Sequence, residues 1–327
     1  MNKQINIGII GTGHLGQYHV KHYLGLPNVN LVGIHDVNPR QMDIIQKTYP
    51  VKSFSSMEKL IMSCDALSVV TPTETHAIVA EKCIELGKHV FIEKPITKDI
   101  KEAERLVRIA NENNILIQVG HIERLNPAIL ALKPFSISPK FVEIQRLAPY
   151  TVRGTDVPVV LDLMIHDIDI LLSIVNSPVA NIRATGVSIL TDSVDIAHAR
   201  LRFENGTVAS IVSSRVAQDK VRKIKLFQKD FYATLDLLLG LTEVYQVNDE
   251  SNDEISPTTA PFEYHGRKRI ISYTKPPVVQ NDALRDELSN FIQSILGNAT
   301  PIVDGQAGRD ALEIAIKIQD MIIQDIH

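Results

Sequence analysis

Five short apolar runs recur within the first 120 residues: INIGII (5–10), NLVGIHD (30–36), ALSVVT (66–71), HVFIE (89–93) and ILIQVG (115–120). Segments of helical periodicity separate them, over 14–25, 39–48, 74–87 and 99–113. The runs show little polar alternation, so each strand is expected to be buried on both faces. Strands of that kind, alternating with helices, build a parallel sheet. The pattern predicts an α/β Rossmann dinucleotide-binding domain over residues 1–120, whose ligands gather at the carboxyl ends of the strands.

The first strand runs into GTGHLG, which places Gly11, Thr12, Gly13, His14, Leu15 and Gly16 at the start of a helix. Glycines at this spacing do three jobs: a tight turn, a backbone that a pyrophosphate can touch, and close helix packing. The helix start adds unpaired N–H groups and a positive dipole end, both favourable to phosphate. The bare pattern is a weak signal, but here it follows a strand, opens a helix and precedes an acid, Asp36, at the end of the second run. A carboxylate there hydrogen-bonds an adenosine ribose and repels a 2′-phosphate, so NAD is the expected cofactor. Arg40 keeps NADP as the lesser alternative, and an accidental glycine turn is the competing structural reading. TPTETH (71–76), with Thr71, Pro72 and His76, closes the ALSVVT run, and EKPITKD (93–99), with Glu93 and Lys94, closes HVFIE. A lysine held between Glu93 and Pro95 reads equally as a solvated strand-end charge or as an ammonium fixed at the ligand end of the sheet.

Past Gly120 the pattern changes to one-sided alternation, in NIRATGVSIL (181–190), DIAHARLRF (195–203), TVASIVSSR (207–215), RKIKLFQ (222–228) and FYATLDL (231–237). That pattern predicts strands with one buried face, hence an α+β second domain over 121–327 built on a large, mostly antiparallel open sheet. Asn205-Gly206 is expected to join two strands as a tight hairpin. The acidic stretch 248–261 reads as a loop, and HGRKR (265–269) as a solvated basic cluster with phosphate binding as the alternative. Helices are expected at 282–296 and 306–325.

LDLMIHDIDIL (161–171) is suited to a core, yet it carries Asp162, His166, Asp167 and Asp169. Buried charge is costly unless paired, so these residues need partners. On a uniform helix Asp162, His166 and Asp169 fall within about 60° of one another, with Asp167 about 100° or more away. Histidine accepts a proton near neutrality, and a carboxylate one turn away orients it, so the stripe reads as acid–base chemistry. A buried ion network is the competing reading. A metal site is a weaker one, because no further ligand cluster accompanies the stripe, and no metal is expected.

Composition excludes other classes. At 327 residues two domains are expected, and 44% hydrophobic with 22% charged residues is ordinary globular usage. A net charge of −4 argues against a nucleic-acid surface. Cys64 and Cys83 stand alone in apolar surroundings, so neither a disulfide framework nor a thiolate metal site is expected. No run approaches a membrane span, and the N-terminal apolar run leads straight into glycines without a cleavage site, so a cytoplasmic protein is expected.

GTGHLG, Asp36, TPTETH and EKP, in that order, resemble the glucose–fructose oxidoreductase / inositol dehydrogenase / MocA family (Gfo/Idh/MocA), and the resemblance spans essentially the whole chain. It implies NAD-dependent oxidation of a sugar or polyol hydroxyl by a homodimer or homotetramer. The family's EKP lysine contacts nicotinamide and substrate, which makes Lys94 catalytic. Its D-x-x-x-H pattern falls on Asp162 and His166, with Asp169 at the trailing acidic position facing substrate. Glycines common beside that pattern are replaced by Val160, Leu161 and Met164, so the substrate pocket is expected to be shaped differently. GHIERLNPA (120–128), RKIKLFQKD (222–230) and LDLMIHDID are similar to a subgroup of UDP-N-acetylglucosamine 3-dehydrogenases, which implies oxidation at the sugar 3-hydroxyl ahead of an aminotransferase. Arg124, Asn126, Arg153 and Arg215 would then hold sugar or diphosphate, each with a structural salt bridge as its competing role. The family also contains NAD-retaining glycoside hydrolases and a non-catalytic dinucleotide-binding regulator. The intact Lys94, Asp162 and His166 set argues against the regulator.

Overall fold

A computed structural model describes residues 4–151, 157–249 and 259–326. The chain forms two compact units: residues up to Ile122 together with Asp282–Ile314, and Glu123–Asn281 together with Ala315 onward.

In the first unit β1 (Ile5–Ile10), β2 (Val29–His35), β3 (Ala66–Val69), β4 (His89–Glu93) and β5 (Ile117–Gly120) form a parallel sheet in the order β2-β1-β3-β4-β5. The helices are α1 (His14–Leu24), α2 (Pro39–Thr48), α3 (Met57–Met62), α4 (Thr73–Glu85) and α5 (Ile100–Glu112). Only α3 has no counterpart in the periodicity. It is six residues long, too short to show a repeat, and starts at a Ser56 side-chain cap on Lys59 N–H. Ile7, Ile9, Ile34 and Phe91 are fully buried, which is why these strands read as unbroken apolar runs. The two thiols lie in the same interior, where burial pushes Cys64 and Cys83 up to about 12 and leaves both unreactive near neutrality.

The second unit begins with α6 (Pro127–Leu130), β6 (Phe141–Leu147) and α7 (Ile165–Val175). Eight strands follow: β7 (Val179–Val187), β8 (Ile196–Phe203), β9 (Val208–Ser214), β10 (Val221–Gln228), β11 (Phe231–Asp236), β12 (Leu241–Asp249), β13 (Thr259–Tyr264) and β14 (Arg267–Thr274). The nine-stranded sheet runs β13-β14-β12-β11-β10-β6-β9-β8-β7, antiparallel throughout except where β6 lies parallel to β9. Alternation along β8 buries Ala197, Ala199, Leu201 and Phe203 and exposes His198, Arg200 and Arg202. Gly206 takes φ +85° in the turn between β8 and β9, as its place after Asn205 predicts. Of the acidic stretch 248–261, Asn248 and Asp249 end β12 and Thr259–Pro261 open β13, and the residues between lie outside the described ones. The basic stretch is exposed over 265–268, as a solvated cluster would be. His265 and Gly266, at φ +50° and +72°, form a hairpin turn, and Arg269 on β14 pairs with Asp230 at 2.9 Å.

The chain ends with α8 (Ala283–Ile295) and α9 (Gly305–Ile326). Residues Asp282–Ile314 return to the first unit, although their position past Gly120 assigns them to the second domain on sequence order alone. Phe291 of α8 is fully buried with its ring 5.8 Å from Phe91, a burial that contributes roughly 2–3 kcal/mol. No helix among the described residues is long and apolar enough to cross a membrane.

Candidate active site

The order β2-β1-β3 puts a topological switch point beside β1, the place where open α/β sheets hold their ligands. The three glycines of GTGHLG divide their work there. Gly11 has φ +95°, and a Cβ on it would lie 2.6 Å from the Val70 carbonyl and 2.8 Å from Thr71 N. Any side chain at Gly16 would strike the Gly11 carbonyl oxygen, whereas a Cβ on Gly13 meets nothing within 4 Å. Gly13 caps α1 without a side-chain hydrogen bond, although α2 and α5 are capped by the Asn38 and Asp99 side chains. An open approach to uncapped helix N–H groups is what a pyrophosphate requires, so these residues fit a dinucleotide. His14 and Leu15, both exposed, flank the opening.

Asp36, just past β2, is tied into this loop. Its Oδ2 accepts from Thr12 N at 2.7 Å and Thr12 Oγ1 at 2.9 Å, and its Oδ1 accepts from Asn38 N at 2.8 Å. Thr12 is fully buried, so its side chain serves Asp36 and not a ligand. Thr71 and Pro72 follow β3 beside Gly11, so the GTGHLG and TPTETH turns are brought together.

Two residues expected to contact the cofactor are engaged within the protein. His76 is 1% exposed, with Nδ1 2.9 Å from the Pro95 carbonyl oxygen and Nε2 2.8 Å from that of Thr71. It ties the TPT turn to the turn after β4 and presents nothing to a ligand. The Glu93 side chain is only 12% exposed and its Oε1 lies 3.0 Å from His19 Nε2. Burial pushes Glu93 up, but the His19 hydrogen bond and charge, the Lys94 N–H and His76 together outweigh it and hold the carboxyl below its ordinary range. The Lys94 backbone N–H donates to Glu93 Oε2 at 3.3 Å, so the carboxylate braces the residue that follows it.

In the second unit the helix bearing LDLMIHDIDIL is not uniform. Residues Val160–Met164 form a π-helical turn, closed by Ile165 N–H onto the Val160 carbonyl, before α7 begins. The wider turn changes the angle between Asp162 and the residues after it from that of a uniform helix. Asp162 and His166 are partly accessible, whereas Asp167 and Asp169 are each 1% exposed. Asp169 accepts a bidentate pair from Arg124, Nε at 2.8 Å and Nη2 at 2.7 Å. Asp167 accepts one from Arg146 of β6, both bonds at 2.8 Å. Arg146 Nη1 also donates to Glu123 at 3.2 Å, and Arg222 of β10 donates to the same oxygen at 2.8 Å. Burial pulls the Arg146 guanidinium down, but Asp167 and Glu123 outweigh it and push it up. Two of the four polar residues, Asp167 and Asp169, are therefore held in buried ion pairs.

Several residues expected at the substrate make bonds within the second unit. Arg124 and Asp169 are engaged with each other. Asn126 caps α6 through Ala128 N–H and donates to the Leu237 carbonyl at 3.0 Å. Arg215 is 7% exposed and donates to Asp195, to the carbonyls of Val157 and Val194, and to Ser193. Arg153 lies outside the described residues. Asp195 is itself a hub, accepting from the N–H groups of Ile189, Leu190 and Thr191 as well as from Arg215. Burial pushes its carboxyl up, but those backbone bonds outweigh it and hold it well below the usual range. The resulting stabilisation is complete above the unfolded aspartate pKa of about 3.9 and is lost as pH falls toward the lower native value. Calorimetry should therefore show Asp195→Asn melting well below wild type at neutral pH, with the gap narrowing in acid. A gap independent of pH would mean that shape, not charge, sets the cost.

Sequence periodicity gave no sign of His19, Glu123, Arg146 or Arg222. The nearest available signal was the histidine three residues after Gly16, which on an apolar helix face reads as core.

Comparison with known proteins agrees with this geometry. The Gfo/Idh/MocA model, described as an oxidoreductase family with an NAD-binding Rossmann fold, matches residues 5–121. The GFO/IDH/MocA C-terminal domain model matches residues 148–228. A UDP-N-acetylglucosamine 3-dehydrogenase of Acidithiobacillus ferrooxidans is 34% identical over 313 residues, 95% of each chain. Its solved structure superimposes with a TM-score of 0.86 at 33% identity, covering 98% of both chains. A myo-inositol 2-dehydrogenase of Thermotoga maritima is 26% identical over 329 residues, 94% of this chain and 93% of the other.

Proposed function

The chain belongs to the Gfo/Idh/MocA oxidoreductases, and from that premise we propose that it oxidises the 3-hydroxyl of UDP-N-acetylglucosamine with NAD. The observation that carries this reading is the 34% identity, across 95% of both chains, to an enzyme named for that reaction. NAD over NADP is supported by Asp36, whose Oδ1 accepts a hydrogen bond from Asn38 N and keeps a lone pair for a ribose hydroxyl. Its negative charge would oppose a 2′-phosphate.

NAD, when bound, supplies the hydride acceptor. The uncapped N–H groups at Gly13 and the start of α1 would hold its pyrophosphate. His166 takes the proton of the substrate hydroxyl, and Asp162, on the π-helical turn before it, orients the imidazole. The Lys94 ammonium stabilises the oxygen on which negative charge develops as the carbon is oxidised. The resulting 3-ketone is the group an aminotransferase consumes, and that reaction class is placed next.

The test is NADH formation by the purified protein with NAD and UDP-N-acetylglucosamine, with a carbonyl trap to draw the reaction forward. Free sugars and inositol run alongside. Steady NADH with the nucleotide sugar alone is expected. NADH with inositol or free sugars instead would retain the chemistry and discard the substrate.

A further inference from the structure

The acid–base scheme above leaves several buried titratable groups of the first unit unused, His19 among them. His19, on α1, has no exposed surface. Its Nε2 meets Glu93 Oε1 at 3.0 Å, and its Nδ1 has no hydrogen-bond partner among the described residues. The ring packs edge-on to Phe91 at 5.4 Å and Tyr23 at 6.3 Å, so α1 buries a polar side chain for the sake of one bond. Leaving a ring nitrogen unsatisfied costs stability, which marks that one bond as the reason the histidine is there.

Glu93 passes the constraint on. Its Oε2 accepts the Lys94 N–H at 3.3 Å, and its carboxyl group lies across the Cα of Gly120 at the end of β5. A Cβ on Gly120 would sit 3.0 Å from Oε2 and 3.2 Å from Oε1, so β5 ends in a glycine where the carboxylate needs room. On the other side of Lys94, the Pro95 carbonyl is held by His76 at 2.9 Å. The peptide units flanking Lys94 are thus held by groups of α1, α4 and β5.

We propose that His19 and Glu93 are positioning residues that fix the Lys94 backbone, and with it the reach of the ammonium, with Gly120 supplying the space for the carboxylate. The proposal rests on the reading of Lys94 as the residue that stabilises the reacting oxygen. Misplacing such a group by about 1 Å costs on the order of a hundredfold in rate.

Three variants test it. His19→Leu removes the donor, His19→Gln restores an N–H of similar reach, and Gly120→Ala displaces the Glu93 carboxylate while leaving every other side chain in place. Two readouts are taken: amide hydrogen exchange at Lys94 by NMR, and kcat with NAD and UDP-N-acetylglucosamine beside the Kd for NAD. In His19→Leu and Gly120→Ala, exchange at Lys94 should speed by about tenfold or more and kcat should fall by about ten- to a hundredfold, with NAD affinity kept. His19→Gln should lie nearer to wild type in both. Unchanged exchange, or a kcat loss matched by lost NAD binding, overturns the proposal. Lys94→Met separates the two readings. If it is inactive while Gly120→Ala and His19→Leu turn over normally, only the positioning role fails. If it is active, the reading of Lys94 fails. Should wild type not turn over this nucleotide sugar, the substrate reading fails and unchanged Lys94 exchange in the variants still overturns the proposal.

Discussion

Replacing Lys94 with Met is expected to cut turnover by at least about a thousandfold while NAD affinity stays within about twofold of wild type. Methionine keeps the length and most of the apolar stem of lysine, so what is lost is the charge. An ammonium aimed at an oxygen that becomes negative is felt most strongly in the transition state, so its removal falls on kcat more than on binding. The pyrophosphate and ribose are assigned to Gly13, the start of α1 and Asp36, which stand at the ends of β1 and β2 and the start of α1, not at the β4 end that carries Lys94. The Lys94 backbone N–H is retained in the variant, so the bond to Glu93 Oε2 persists and the strand end keeps its shape. Titration calorimetry with NAD, beside NADH formation, separates the two effects. Loss of NAD binding together with activity would make Lys94 part of the cofactor cradle and remove it from the chemistry. His166→Asn gives the complementary case: about a hundred- to ten-thousandfold lower turnover, partly restored by added imidazole.

How much of this was legible in the sequence follows from how local each interaction is. The first unit was the easiest part. Its strands are buried on both faces and its glycines act on the turn they sit in, so apolar runs and GTGHLG carry the information within a few residues. Asp36 was found for the same reason, since it ends the strand next to that turn. His19 was not, because it shares a face with Gly16, Val20 and Tyr23, all buried, and its partner Glu93 comes 74 residues later. In LDLMIHDIDIL, composition showed that something polar had to meet the helix, but not that Asp167 and Asp169 would turn to arginines of β6 and of the segment before α6. Such pairings depend on sheet register, which alternation leaves undefined. The π-helical turn was invisible for another reason. Five residues of a different winding do not change an apolar pattern that is already nearly continuous.

Asp167→Ala is expected to lower stability by about 3–5 kcal/mol, the cost of leaving a buried guanidinium without its main partner. Arg146 is 2% exposed and gives two of its bonds to Asp167. Only Glu123 would remain to it, and Glu123 is shared with Arg222. The network of two arginines and two carboxylates is balanced as built, and removing Asp167 leaves it with an excess positive charge. Water cannot easily relieve that charge, because Ile144 and Ile168, beside the pair in β6 and α7, are fully buried too. The double change Arg146→Met with Asp167→Leu removes both charges and keeps much of the volume, so most of the loss should be recovered. Denaturant unfolding of the two single variants and the double variant yields the coupling energy directly. A coupling below about 1 kcal/mol would mean that the pair is screened like a surface ion pair, against its burial. A large coupling with normal turnover in the double variant would separate Asp167 from the chemistry of its sequence neighbour, His166. The helix would then owe its acid at 167 to folding and its histidine at 166 to catalysis.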